Sequence, residues 1–183
     1  MKKIFSPKLK RFVHEIYAGG FEVTGKKNVV FSALLGSCIA VCLKDRATGT
    51  SGMNHFMLPG KPRKGSAVSN RDARYGAYSM AMLVDAMLKI GANKNTLEAK
   101  IFGGGQVYEM ALSNVAGANI DFIAAYLKAK NIPVLASNIG GRYGRKIYFF
   151  PENFDVYVKR INIKKILPAV KQQEKSFLQN RMP

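Results

Sequence analysis

The chain has 183 residues, 48% of them apolar, which is enough to bury the core of one globular domain without disulfides or metal ions. No apolar run approaches the roughly 18 residues of a membrane span, and no secretory signal follows the basic N-terminus. With only two cysteines, the sequence predicts a cytoplasmic protein without membrane insertion. The net charge of +18 is the outlier, and it indicates either an acidic partner or a generally basic, solvated surface.

The first half of the chain predicts strands and one long loop. Residues 28–45 (NVVFSALLGSCIAVCLKD) form two apolar runs separated by a Gly36-Ser37 step, and residues 52–58 (GMNHFML) form a third. The polar segment 59–76 contains two prolines and several glycines. This composition is typical of a surface loop, which is where functional residues often lie.

The second half mixes helices with strands. Apolar residues at helical spacing predict a helix over 78–90, and a second helix is predicted over 120–130 with Asn119 as its N-cap. Strands are predicted at 97–105, 132–138, 145–151 and 155–161.

The strands outnumber the helices and do not alternate regularly with them, so the fold class is predicted to be α+β. Residues 1–161 are predicted to form a single domain. Residues 162–183 are predicted to be a basic C-terminal tail or a short helix.

The two cysteines raise a question of role. Cys38, Cys42 and His55 could be counted as metal ligands, but four residues along a strand separate the two thiols by about 13 Å. That distance rules out a shared metal and also a disulfide. Two alternatives remain: buried core residues, or one nucleophile with a bystander.

The local sequence separates the two thiols. Cys42 lies in an apolar run, which favours a core position. Cys38 follows a glycine bend, where the backbone N–H groups of Ser37 and Cys38 could together hold a developing oxyanion. A nucleophile there would need a base, for which His55 is the candidate, and Ser32 could hydrogen-bond the imidazole. A structural histidine is the alternative, and the commoner outcome.

Several motifs in order resemble one known family. They are LLGSCIAVCLKD (34–45), GMNHFMLP (52–59), RYG (74–76), LEAKIFGGG (97–105), NIPVLASNIGG (131–141) and GRKIYFFP (144–151). The sequence from about Gly19 to Ile161 is similar to CheD, the chemoreceptor glutamine deamidases of chemotaxis. It departs from the usual form of that family at Arg142 and Tyr143.

The resemblance implies a layered α/β sandwich with a mainly antiparallel or mixed sheet, similar to the catalytic domains of glutamine-deamidating toxins. It also implies a cysteine amidohydrolase that needs no metal or organic cofactor. Cys38 would be the nucleophile, His55 the general base and Ser32 the third, hydroxyl-bearing residue.

The resemblance also implies partners. The substrates would be methyl-accepting chemotaxis receptors, and a CheC-type phosphatase is a possible partner. A non-catalytic regulatory role toward that phosphatase or the receptor array is the alternative. Nucleic acid is not expected, because no helix-turn-helix, zinc-finger or RNP motif is present.

The positive charge could steer an acidic receptor surface toward the enzyme. Candidate residues lie on loop-like or glycine-rich stretches: Arg63, Lys64, Arg142, Arg145 and Lys146. A merely solvating role for these cations is the equal alternative.

Overall fold

Two five-stranded sheets and two helices form the structure, a computed structural model that describes residues 2–61, 72–107, 114–162 and 168. The strands are β1 (Lys2–Ser6), β2 (Arg11–Glu15), β3 (Gly20–Thr24), β4 (Val29–Leu35), β5 (Ile39–Asp45), β6 (Ser51–Phe56), β7 (Leu97–Gly103), β8 (Val134–Ile139), β9 (Gly144–Phe150) and β10 (Asp155–Ile161). The helices are α1 (Gly76–Lys89) and α2 (Val115–Ala129), with a short 3-10 turn at Lys94–Thr96.

Both sheets are mixed. Sheet A has the strand order β1-β2-β4-β9-β10 and is antiparallel except for the parallel pair β2–β4. Sheet B has the order β3-β6-β5-β7-β8 and is antiparallel except for the parallel pair β7–β8. The α+β class and the mixed sheets predicted from the sequence are therefore confirmed.

The side chains of β5 show how the layers stack. Its alternate residues Ile39, Val41 and Leu43 belong to a core cluster shared with α1 and α2. Ala40 and Cys42, on the other face, belong to a second cluster shared with β4 and β9 of sheet A. Sheet B is thus the middle layer, between the helices and sheet A.

Helix α1 matches the predicted helix closely. Its buried residues Met80, Leu83 and Met87 recur at helical spacing and pack on sheet B. At its first residue, Gly76, a Cβ atom would lie 2.3 Å from the ring of Phe122. A glycine there therefore permits the close approach of α1 to α2.

Helix α2 begins five residues earlier than predicted. Its N-cap is Asn114, whose side-chain oxygen accepts a hydrogen bond from the N–H of Gly117 at 3.0 Å. The prediction of Asn119 as the N-cap was wrong, because Asn119 lies buried inside the helix. The strands β1, β2 and β3 were not predicted.

None of the helices in the described part of the chain is long and apolar enough to cross a membrane. Of the predicted 162–183 segment, only positions 162 and 168 lie within the described residues.

Candidate functional site

The bend at residues 36–38 joins β4 of sheet A to β5 of sheet B and carries Cys38. Its backbone is held by the glycine loop that follows β7. The N–H of Gly105 donates to the carbonyl of Gly36, and the N–H of Gly104 donates to the carbonyl of Cys38, both at 2.8 Å. At Gly103 (φ 115°) a Cβ atom would lie 2.1 Å from the Cys38 carbonyl oxygen. Only glycine allows this loop to approach the bend so closely.

Asn119 of α2 holds the remaining carbonyl of the bend. Its Nδ2 donates to the carbonyl of Ser37 at 3.1 Å and to the carbonyl of Met57 at 2.8 Å. Asn119 is completely buried, and its Oδ1 has no hydrogen-bond partner among the described residues. Sequence analysis did not predict this contact between Asn119 and the bend, because an isolated asparagine near a helix start is first interpreted as a cap.

His55 lies on β6 and faces sheet A. It is paired with Ala40 of β5, so both side chains project from the same face of sheet B. Cys38 is two residues before Ala40 and belongs to the same inter-sheet cluster as Ala40 and Cys42. Ala40, the partner of His55, therefore lies midway between the two thiols along the chain; the ladder includes Cys42 and ends at Ile39, one residue after Cys38.

The imidazole of His55 is oriented by a backbone group. The His55 side chain is only 1% exposed, and Nδ1 lies 3.1 Å from the carbonyl oxygen of Ile16. A carbonyl can only accept, so Nδ1 carries the proton and Nε2 is the basic nitrogen. Nε2 is buried and has no hydrogen-bond partner among the described residues.

Burial sets the protonation state of His55. Desolvation lowers the pKa of His55 to about 4, outweighing the Ile16 hydrogen bond that favours the protonated form. The imidazole is therefore neutral at pH 7, as a general base must be. Cys38 is 5% exposed and belongs to the cluster between the two sheets, on the side of sheet B from which the neutral imidazole projects.

Burial also acts on the second thiol. Cys42 is fully buried, and desolvation raises its pKa well above the ordinary value. Neither cysteine forms a disulfide. Among the described residues, no group of three or more His, Cys, Asp or Glu side chains is placed to hold a metal ion.

Ser32 lies on β4 but on the wrong face to orient His55. Phe31, Ala33 and Leu35 face the inter-sheet core. Strand alternation therefore turns Ser32 to the outer face of sheet A, where it lines a groove. Its link to His55 runs through the backbone: the N–H of Ile16 donates to the Ser32 carbonyl at 2.8 Å.

The group that orients the His55 imidazole in the structure is therefore the carbonyl of Ile16. The sequence had predicted the Ser32 hydroxyl for this role. The alternation of Phe31, Ala33 and Leu35 was a readable signal against Ser32. The Ile16 carbonyl has no such signal, because a backbone acceptor is not visible in residue type.

The five cations proposed for steering have different surroundings. Arg63 and Lys64 lie outside the described residues. Arg142 is exposed. Lys146 forms an ion pair with Glu15 at 2.6 Å on the outer face of sheet A.

Arg145 does not lie at the surface as expected, since it is 0% exposed. Its guanidinium donates to Asn138 Oδ1 at 2.8 Å and to the carbonyls of Gly140 (2.7 Å) and Tyr143 (3.3 Å). Arg145 therefore holds the turn between β8 and β9. Its guanidinium is engaged by neutral oxygens of that turn and is not exposed for direct contact with a substrate.

Comparison with known proteins gives a consistent family assignment. The family model "CheD chemotactic sensory transduction" matches residues 57–160. The chain is 42% identical over 143 residues to a protein of Laribacter hongkongensis named "Probable chemoreceptor glutamine deamidase CheD", covering 78% of this chain and 69% of that protein. A protein of the same name from Janthinobacterium sp. is 41% identical over 148 residues, covering 80% and 72% of the two chains.

A likeness to a solved structure is weaker. The Bacillus licheniformis hypothetical protein YfiH matches 64% of this chain and 49% of its own, with 13% identity and a TM-score of 0.41.

Proposed function

The chain belongs to the CheD family and is a deamidase of chemoreceptor glutamines, and we propose that Cys38 and His55 carry out its reaction. One observation carries this proposal. The buried, neutral imidazole of His55 has its Nδ1 bonded to a carbonyl and its Nε2 without a partner among the described residues, and it projects from sheet B toward the inter-sheet cluster that contains Cys38. This is the arrangement that a cysteine nucleophile needs from its base.

In the first half of the reaction, Sγ of Cys38 attacks Cδ of the substrate glutamine while His55 Nε2 takes the thiol proton. The negative charge that develops on the carboxamide oxygen is stabilised by backbone N–H groups of the bend at Ser37 and Cys38. The C–N bond then breaks, and His55 returns the proton to the departing nitrogen. Ammonia leaves, and a thioester remains on Cys38.

In the second half, water attacks the thioester carbon and His55 accepts a proton from that water. The Cδ–Sγ bond breaks, the proton returns to sulfur, and glutamate is released. The net change is glutamine plus water to glutamate plus ammonium, since the carboxylic acid that is released gives its proton to ammonia in solution. Every proton transfer is assigned to Nε2 of one histidine.

The direct test is incubation with a chemoreceptor cytoplasmic fragment, followed by peptide mass spectrometry and ammonia detection. Wild type should convert specific glutamines to glutamate. Cys38→Ala and His55→Ala should each release no ammonia above background. Conversion by Cys38→Ala would contradict the assignment of the nucleophile.

Further expectations from the family remain proposals. A CheC-type phosphatase is a proposed partner, and a likeness to the catalytic domains of glutamine-deamidating toxins is a predicted fold relation. Arg142, which is exposed, remains a candidate for steering acidic receptor surfaces.

A further inference from the structure

We propose that Asn119 is a positioning residue that fixes the oxyanion-binding N–H of Cys38. This inference rests on the proposed function of Cys38 as the nucleophile. Asn119 lies inside α2, and the two carbonyls that its Nδ2 contacts belong to Ser37 and Met57. One directly precedes the nucleophile, and the other follows the base His55 by two residues.

Peptide geometry connects the Ser37 carbonyl to the Cys38 N–H. The described peptide bonds are trans, so the C=O and N–H of one peptide unit point in opposite directions. Holding the Ser37 carbonyl toward Asn119 therefore directs the Cys38 N–H away from Asn119. Ser37 lies between β4 and β5, outside both ladders, so no strand bond supplies this constraint.

The unsatisfied half of the Asn119 amide supports a role beyond stability. Both carbonyl partners require a donor, which fixes the amide with Nδ2 toward them. Oδ1 is then buried without a partner in the described part of the chain, at a cost of about 1–3 kcal/mol. An apolar residue would avoid that cost but would leave the Ser37 carbonyl unheld. The donor function therefore explains why an amide occupies this position.

The test uses Asn119→Asp, which is nearly isosteric but presents no N–H donor, and Asn119→Ser, which shortens the side chain. Both should lower kcat on a receptor fragment by about 10²–10³-fold, as loss of an oxyanion donor does, with little change in KM. Alkylation of Cys38 by iodoacetamide should change little, because alkylation develops no oxyanion.

Asn114→Ala is the matched control. It removes an asparagine hydrogen bond from the same helix, at the N-cap, where the described partner of the side chain is the N–H of Gly117. It should lower thermal stability and leave kcat unchanged. Each variant is measured well below its own melting temperature, so that folded protein is compared with folded protein.

The outcomes distinguish a failure of the inference about Asn119 from a failure of the proposed function. If Cys38→Ala and His55→Ala are inactive while both Asn119 variants keep wild-type kcat, the inference about Asn119 is wrong and the proposed function stands. If the rate of Cys38 alkylation in the Asn119 variants falls in parallel with kcat, Asn119 positions the thiol itself. In that case the proposed role of Asn119 in orienting the Cys38 N–H is wrong. If Cys38→Ala stays active, the proposed function has failed.

A second inference rests on the outer face of sheet A, independently of the catalytic site. This face carries a groove of about 950 Å³. The contacts of α1 and α2 are with each other and with sheet B, so no described helix covers the groove. Its apolar lining includes Ile4, Val13 and Phe150, and Tyr157 beside them is 63% exposed.

The charges of this outer groove have one dominant sign. The cations that line it are Lys8, Arg11, Lys146 and Lys159, and the one carboxylate among the lining residues, Glu15, is already paired with Lys146. Neither Lys8 nor Lys159 pairs with a carboxylate of the described residues.

We infer that the outer groove binds an acidic amphipathic segment of another protein. Carboxylates would pair with the unmatched lysines, and apolar side chains would cover Ile4, Val13 and Phe150. Two other occupants are disfavoured by charge: the segment 163–183 is itself basic, and a second copy of the chain carries +18. The groove is on the opposite face of sheet A from His55, so binding there leaves Cys38 accessible.

The probe is a synthetic amphipathic helix with Glu on one face and Leu on the other, compared with Gln/Leu and Lys/Leu versions by fluorescence anisotropy. The Glu/Leu peptide should bind most tightly, and rising salt should weaken it. The double variant Lys8→Glu, Lys159→Glu should lose at least about tenfold in affinity, or 1.4 kcal/mol. The control Lys89→Glu, Lys94→Glu changes the net charge equally on the helix side and should lose much less.

Equal losses in the two double variants would mean attraction by net charge alone and would overturn the inference. Tighter binding of single-stranded DNA or of phosphatidylglycerol vesicles, abolished by the same Lys8 and Lys159 changes, would also overturn it. Such a result would assign the groove to a different class of partner.

Discussion

Cys38 and Cys42 belong to the same inter-sheet cluster, and Ala40, the partner of His55, lies midway between them along the chain. Strand pairing alone therefore does not distinguish the two thiols. The backbone around each one favours Cys38 as the proposed nucleophile. Cys42 is inside the ladder, with partners Met53 and Lys100 on the two flanking strands. Cys38 is on the bend before the strand, where Asn119 and the glycine loop hold the backbone.

The difference teaches where a thiol can become a nucleophile in a sheet. Within a ladder, the backbone N–H groups are consumed by neighbouring strands and cannot stabilise an oxyanion. Burial also raises the pKa of the Cys42 thiol, which keeps it protonated and unreactive. At the strand end, the carbonyls of the bend are held from behind, and the N–H groups can face a substrate.

The largest expected effect is therefore on the two thiols themselves. Cys38→Ala should lower deamidation by at least about 10³-fold, since the nucleophile is lost. Cys42→Ala should keep most of the activity and cost about 1 kcal/mol of stability, as deletion of one buried atom does. The measurements are ammonia release and thermal unfolding.

Iodoacetamide labelling of the native protein is a second measurement that compares the reactivity of the two thiols. Cys38 should be alkylated much faster than Cys42. Preferential alkylation of Cys42, or inactivation by Cys42→Ala in a protein that stays folded, would reverse the assignment.

The next largest expected effect is the pH dependence of activity, which reports the protonation of His55. A general base must be neutral, and the pKa of His55 is lowered to about 4. We expect kcat/KM to hold from pH 7 down to about pH 5, and then to fall about tenfold per unit below pH 4. If instead kcat/KM falls with an apparent pKa near 6.5, the ordinary histidine value, His55 is solvated in the working enzyme.

The same lowered pKa predicts a change in stability. Unfolded His55 binds a proton near pH 6.5 and folded His55 only near pH 4, so the folded state should lose about 3 kcal/mol as pH falls through this window. His55→Gln should abolish that part of the loss. The pKa of His14 is also lowered, but His14 is common to both proteins. The measurement is urea unfolding of the two proteins between pH 7 and 4.

Two arginines of the β8–β9 region, Arg145 and Arg142, should differ in their effect on stability, because Arg145 is buried and Arg142 is exposed. Arg145→Ala removes three hydrogen bonds to partly buried carbonyl and amide oxygens, and it should cost about 2–4 kcal/mol. Arg142→Ala, at an exposed position, should change stability by less than about 0.5 kcal/mol. Equal melting temperatures for the two variants would contradict the structural role of Arg145.

Sequence predicted those parts of the site that depend on residue type and short-range pattern. The Gly36 bend, the strand of His55 and the burial of Cys42 follow from local composition, and the structure has each of them. The α+β class follows from the balance of strands and helices, whereas the mixed sheets were implied by the family resemblance. The missed strands β1, β2 and β3 are short, and β1 and β2 are rich in charge, so their apolar pattern is weak.

The parts that sequence did not predict depend on long-range contacts. Arg145 occurs in a glycine-rich basic stretch, and nothing in that stretch shows that its guanidinium is turned inward onto the carbonyls of a turn. Asn119 is far along the chain from the bend at Ser37, and the contact exists only because α2 packs over sheet B. Tertiary placement, and not residue type, gives these two side chains their roles.

The smallest expected effect is at Ser32, and it follows from the same distinction between side chain and backbone. The hydroxyl of Ser32 is on the outer face of sheet A, while the Ser32 carbonyl bonds Ile16, whose own carbonyl holds His55. Ser32→Ala keeps that backbone path, so kcat and the acid limb should stay close to wild type. Replacing Tyr17 by its α-hydroxy acid makes the Ile16 carbonyl an ester, a weaker acceptor, and should lower kcat several-fold. A large loss in Ser32→Ala with an unaffected ester variant would restore the hydroxyl as the orienting group.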